Sequence, residues 1–165
     1  MREQIEVLIL DGQFERVRQL MTEHDFMEFE EAFIGAAQNT ESVLFYTFIV
    51  EEMKKNETAE LHDLAFLLLV YPLSELTDAF KAAYYHAERS VQLTESKEVK
   101  SLLQLLFLYT VPEPVLTDRQ AYQVAKQILV LDPHNKIARD LMKKAVRGLE
   151  AGVVDINDLN RMRNA

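Results

Sequence analysis

The chain contains no cysteine and no tryptophan, and only four glycines and four prolines in 165 residues. Without cysteine there is no disulfide framework and no thiolate to serve as nucleophile or metal ligand. Scarce glycine and proline, beside 48% apolar residues, exclude a disordered chain and a loop-rich all-β fold. Long hydrophobic runs are missing too. The longest, Leu64 to Tyr71, falls far short of the roughly 20 residues a membrane-spanning helix needs. Val7-Leu8-Ile9-Leu10 is too short for a signal-peptide core. Basic residues are outnumbered, 18 Lys and Arg against 27 Asp and Glu, for a formal net charge of −9. Nucleic-acid binding is driven largely by neutralising phosphates, so neither a nucleic-acid partner nor membrane association is expected. The same acidity keeps a chain soluble and favours a basic protein partner. Together these features lead us to expect an untargeted cytoplasmic chain, long enough for one domain with a real core.

What the sequence has is helical punctuation. A first helix is expected from Arg2 to Leu10, stopped by Asp11-Gly12, and a second with Phe14, Val17, Leu20 and Met21 on one face. Asp25 and Glu28 have the spacing of a capping box and open a helix bearing Phe26, Phe29, Phe33, Ala36 and Ala37, which reads as core. Thr40 is placed to cap a fourth helix that is apolar nearly all round (Val43, Leu44, Phe45, Phe48, Ile49, Val50, Met53), and such a helix should be central. It ends on Lys54-Lys55, which suits the negative end of a helix dipole. A fifth helix covers about residues 57–70. A long sixth follows Pro72, with Leu73, Leu76, Phe80, Ala83 and Ala87 on one face, and a seventh runs from near Ser96 to Tyr109. After the loop Val111-Pro112-Glu113-Pro114, Thr117 and Gln120 form a second capping box, opening a helix with Ala121, Val124, Ala125, Ile128 and Leu131. Asp132-Pro133-His134-Asn135 ends it. A ninth helix, with Ile137, Leu141, Met142, Ala145 and Leu149, is expected to close near Gly152, and a tail helix to start at Asp155.

The chain resembles itself at an offset of 38 residues: Tyr46, Tyr84 and Tyr122 fall in register, as do Asn56, Thr94 and Asp132, and Leu61, Val99 and Ile137. Leu64, Leu67 and Leu68 align with Leu102, Leu105 and Leu106, and Ala83, Tyr84 and Ala87 with Ala121, Tyr122 and Ala125. The segment Ala121 to Asn135 resembles the second helix and terminating turn of a tetratricopeptide repeat, with Ala121 at the small packing position and Leu131-Asp132-Pro133 as the turn. Asn135 to Val146 is similar to the first helix of a following repeat. The period differs from the family's roughly 34 residues. Ile128 and Lys143 stand where the family carries small residues, and its tryptophan is absent. The resemblance implies an all-α fold of about nine helices, in which antiparallel pairs stack as a short tetratricopeptide-like solenoid with a concave binding surface. The expected organisation is a single helical-repeat domain over 1–165, with atypical helices over 1–45, repeat-like pairs over 46–149 and a tail over 150–165.

No catalytic constellation, cofactor motif or glycine-rich phosphate loop is present. Tyr85, His86 and Arg89 are the candidate binding residues, an aromatic and partly basic patch suited to a protein contact, while Tyr84 holds the repeated core position. His62-Asp63 has the form of the doublet in helical metal-dependent phosphohydrolases, with His24, His86 and Asp118 as formal further ligands, but Leu64-Ala65-Phe66 departs from that family's continuation. Acid in the first turns of a helix also accounts for Asp63, and Glu30-Glu31 reads as a solvated face. The expectation is therefore a non-enzymatic module that binds a protein or peptide, without cofactor or metal. The alternatives are an immunity-type inhibitor of a basic toxin or enzyme, and a phosphohydrolase built on His62 and Asp63.

Overall fold

The structure, a computed structural model, describes residues 1–163, with side chains through Ala151. Among the described residues it holds nine helices and no strand. In chain order these are α1 (Arg2–Leu10), α2 (Phe14–Glu23), α3 (Phe26–Thr40), α4 (Leu44–Lys55), α5 (Ala59–Val70), α6 (Ala79–Leu93), α7 (Val99–Phe107), α8 (Asp118–Leu131) and α9 (Lys136–Arg163). No described helix is long and apolar enough to cross a membrane. Contacts divide the chain into two compact units, Met1–Leu93 and Thr94–Ala165.

In the first unit, α1 turns into α2 through Gly12, whose φ of +70 is a left-handed conformation that costs glycine little. α1 packs on α2, α3 and α4; α5 packs on α3, α4 and α6. The odd-numbered helices thus lie against one another in order, α1 on α3 and α3 on α5. Phenylalanine fills the space between them. Phe29, Phe33, Phe45 and Phe48 are fully buried with Ile5, Ile9 and Ile49, and the Phe33 ring lies 5.1 Å from Phe45 and 5.7 Å from Phe48.

Several expectations need correction here. The central helix is α5, not α4: nine of its twelve residues are buried, and α3, α4 and α6 pack around it. α4 buries Phe45, Phe48, Ile49 and Glu52 and leaves Val43 52% exposed. Thr40 does not cap α4. Glu41 ends α3 in a left-handed turn with φ of 50, so Thr40 stays in the last turn of α3, and Ser42 Oγ accepts from the Leu44 N–H at 3.3 Å instead. Asp25 does cap α3, through the Met27 N–H at 2.9 Å, rather than through a box with Glu28. The sixth helix starts later than expected. Residues 71–78 form tight turns, in which Ser74 Oγ donates to the Tyr71 carbonyl and Asp78 adopts φ of 61. Short polar side chains that bond their own backbone compete with helix in this way. Leu73 is consequently buried but Leu76 is exposed.

In the second unit, α8 packs on α7 and α9. The Thr117–Gln120 capping box forms as the spacing predicts: the Thr117 hydroxyl accepts from the Gln120 N–H at 3.3 Å, and the Gln120 carbonyl oxygen accepts from the Thr117 N–H at 2.9 Å. Asp132 closes the turn after α8 by accepting from the His134 N–H, and Asn135 caps α9 by accepting from the Ala138 N–H. α9 does not close near Gly152. It runs unbroken for 28 residues to Arg163 and absorbs the expected tail helix; Asn164 and Ala165 lie outside the described residues. An isolated glycine costs a helix about 1 kcal/mol, too little to end a long one.

Burial on three of the helices follows the 38-residue spacing. Buried positions repeat as Phe45, Phe48, Ile49 and Glu52 on α4, as Ala83, His86, Ala87 and Ser90 on α6, and as Ala121, Val124, Ala125 and Ile128 on α8. Tyr46, Tyr84 and Tyr122 each follow the first of these four and are half-buried. The pattern is weaker in the partner helices: Leu61 is buried whereas Ile137 is 59% exposed.

Candidate functional site

The three candidate residues Tyr85, His86 and Arg89 lie on α6, one turn apart, and the structure ties them to residues that sequence spacing did not single out for this site. His86 is 3% exposed, so the expectation of an exposed histidine is corrected: α6 turns this residue inward against α5. Its Nε2 meets the Tyr46 hydroxyl of α4 at 2.8 Å, and its Nδ1 meets the His62 Nδ1 of α5, also at 2.8 Å. His62 Nε2 in turn lies 3.0 Å from Glu57 Oε1, and Arg89 clasps the same carboxylate with two bonds of 2.7 and 2.8 Å. Tyr85 stands 58% exposed over the pair, its ring 5.2 Å from His86 and 6.1 Å from His62. One continuous chain, Tyr46–His86–His62–Glu57–Arg89, therefore links α4, α5 and α6.

Electrostatics fix the roles within it. Arg89, and then His62, hold the Glu57 carboxyl down to about 2, so near neutral pH it is ionised and only accepts. Burial, and then the neighbouring His62, push His86 down to about 4. Burial also raises the Tyr46 hydroxyl above its ordinary value. With both rings neutral, each imidazole has one N–H, and the one on His62 faces the acceptor-only Glu57. It follows that His86 donates from Nδ1 to His62, and that Tyr46 donates to His86 Nε2.

The doublet His62-Asp63 does not converge on one point. His62 faces His86 and Glu57, whereas Asp63 accepts from the Ser90 hydroxyl at 2.7 Å. His24 bonds the Leu20 carbonyl of its own helix, and Asp118 accepts from Tyr109 within the second unit. Among the described residues no group of three or more His, Asp or Glu is placed to hold a metal ion. Tyr84, expected in the core, is half-buried, and its hydroxyl donates to Glu88.

Family models, curated proteins and solved structures were compared with this chain. None matches.

Grooves open on the first unit, and two of them bear on function. The larger, about 730 Å³, runs over α1, α3 and α5, with Met1, Met27, Ile34 and Leu67 as apolar lining and Glu28, Glu30 and Glu31 as charged lining. Met27 is 75% exposed there. Gly35 keeps α3 low in this groove: a Cβ at that position would meet the Arg2 side chain at 3.2 Å, and Arg2 lies across the helix to donate to Asn39. The smaller groove, about 440 Å³, lies where α2, α4 and α5 meet, between Met21, Phe26 and Leu61. At its wall the nearly buried Glu52 takes two bonds from Arg18, at 2.6 and 2.7 Å, and Lys55 stands 3.4 Å away. Sequence reading missed both grooves, since each is lined by residues from three or more separate segments.

Proposed function

We propose that the chain is a non-enzymatic, tetratricopeptide-like helical-repeat module that binds a basic protein or peptide in the groove over α1, α3 and α5. The observation that carries this reading is the place of that groove. In a stack of helix pairs, the first helices of successive pairs form a row whose surface is concave, and here the groove lies on the row α1, α3, α5. The burial pattern repeated at 38 residues on α4, α6 and α8 supports the same architecture. The groove's chemistry suggests the occupant: methionine and aliphatic side chains adapt to an apolar anchor, and Glu28 and Glu31 on the rim suit Lys or Arg beside it. A net charge of −9 steers a basic partner inward.

Capture from the source cell, followed by association kinetics, tests the reading. Gly35→Leu adds bulk at the floor of the groove, where the atoms nearest an added Cβ belong to the flexible Arg2 side chain, and a wild-type far-ultraviolet circular dichroism spectrum and urea melt are required of the variant before its binding is read. The bound partner is expected to be basic and to be lost or weakened at least tenfold by Gly35→Leu. Its association rate should fall with salt while dissociation changes little, because opposite charge mainly speeds encounter and screening acts beyond about 8 Å. An acidic partner, or one that binds Gly35→Leu unchanged, overturns the assignment of this groove.

A further inference from the structure

We propose that His62 and His86 form a two-step proton latch between α5 and α6, which takes up one proton with every hydrogen bond kept and a second only by parting the two helices.

The argument is one of valence. With both imidazoles neutral, the chain runs one way, from the Tyr46 hydroxyl to His86 Nε2, from His86 Nδ1–H to His62 Nδ1, and from His62 Nε2–H to Glu57. A proton from solvent has two resting places. On His86 Nε2, the ring donates at both nitrogens and the Tyr46 oxygen becomes the acceptor. Alternatively the shared hydrogen shifts across to His62 Nδ1, and His86 keeps its N–H at Nε2. Either way one hydrogen still lies between the facing Nδ1 atoms, and Tyr46 changes from donor to acceptor. A second proton gives each Nδ1 its own hydrogen. Two N–H groups and two positive rings then face each other across 2.8 Å, and the contact cannot persist.

The surroundings favour this order. Glu57, clasped by Arg89, supplies one negative charge beside the pair, enough to balance the first proton and not the second. The other groups facing the pair are Tyr46 from α4, and Tyr85 and Arg89 from α6. Asp63, next on α5, is bonded by Ser90; Glu52 of α4 is bonded by Arg18; and the carboxylates of α3, Glu28, Glu30 and Glu31, line the groove that Leu67 of α5 shares. Burial, and then the neighbouring His62, hold His86 down to about 4, so this ring resists a proton of its own. Parting the helices would uncover Ala79, Ala83 and Ala87, the buried face of α6.

Nitrogen-15 spectra of the histidine rings in the full chain, followed from pH 7.5 to 3.5 beside near-ultraviolet circular dichroism, test the latch. The tyrosine signal can be read directly because the chain has no tryptophan. The expected result is one proton taken up by the pair with the tertiary signal intact, then loss of that signal together with the second uptake. The variant His86→Asn keeps a side-chain N–H where Nδ1 stood but cannot be protonated, and its tertiary signal should persist at the pH where the wild type loses it. Independent titration of the two rings, loss of tertiary signal with the first proton, or loss in His86→Asn at the wild-type pH would each overturn the proposal.

Discussion

Gly148 of α9 sits so close to the Asp118 carboxylate of α8 that a Cβ at residue 148 would lie 2.2 Å from Oδ2. The same carboxylate accepts the Tyr109 hydroxyl at 2.5 Å, and burial, followed by that bond, pushes the phenol up to about 12. Gly148→Ala should therefore drive Asp118 off Tyr109. Losing a hydrogen bond to a charged group costs about 1.5–3 kcal/mol, and the better helix propensity of alanine returns about 1 kcal/mol. In an Asp118→Ala background the same change should be stabilising, by up to about 1 kcal/mol. Urea melts of the four variants check the reversal of sign; a destabilisation equal in both backgrounds would mean that the two residues are not coupled.

Ala121 is fully buried on α8, in a unit where α7 and α9 both pack on that helix. Ala121→Leu should overpack it and cost about 1–3 kcal/mol, whereas Gln123→Leu, on the exposed side of the same turn, should cost little. Equal melts for the two variants would show that residue 121 has room.

Arg18 and Glu52 join α2 to α4 by two hydrogen bonds, with Glu52 5% exposed. Arg18→Met should destabilise by about 2 kcal/mol, less than the 3–5 kcal/mol typical of breaking a buried pair, because Lys55 remains nearby. Replacing both partners, Arg18→Met with Glu52→Leu, should recover most of the loss. Thermal melts showing the double variant worse than the single would mean that the pair does more than satisfy its own charges.

Acid should weaken the first unit in two windows. An unfolded-chain histidine binds its proton below about 6.5 and the folded His86 only below about 4. Between those values the unfolded chain holds more protons, so stability falls as pH falls, by about 3 kcal/mol over the whole window. The Glu57 carboxyl is lowered from 4.5 to about 2. Its contribution is present above 4.5 and is lost as pH falls towards 2. Urea unfolding at several pH values checks both windows. Arg89→Met should flatten the lower one, since Arg89 is the main cause of the Glu57 shift, and leave the upper one.

The parts of this fold legible in the sequence are those decided within one turn of chain. Thr117 and Gln120 are three residues apart and form their box; Gly12 and Asp132 end helices because their own backbone needs dictate it. The choice of α4 as the central helix failed because apolar residues all round a helix do not say which of its faces the neighbours cover. α5, with α3, α4 and α6 packed around it, buries even His62 and Asp63. The candidate site was half legible for the same reason. Tyr85, His86 and Arg89 share one helix and were visible as a group, but their partners come from 24 residues away for His62, 32 for Glu57 and 40 for Tyr46. No local spacing encodes such pairings. The carboxylate that Arg89 needs is one of 27 acidic residues, and nothing in its neighbourhood distinguishes Glu57.

The 28 residues of α9 amount to about 42 Å of helix at 1.5 Å per residue, twice the span of α8. Among the described side chains the last fully buried one is Ala145, followed at once by the close approach of Gly148 to Asp118. From there to Arg163 the backbone extends about another 22 Å. That stretch works as a pointer: a tilt of about 10° at the glycine would carry its tip about 4 Å. Where Arg163 lies is thus set by how closely α9 approaches the Asp118 carboxylate at one residue without a side chain.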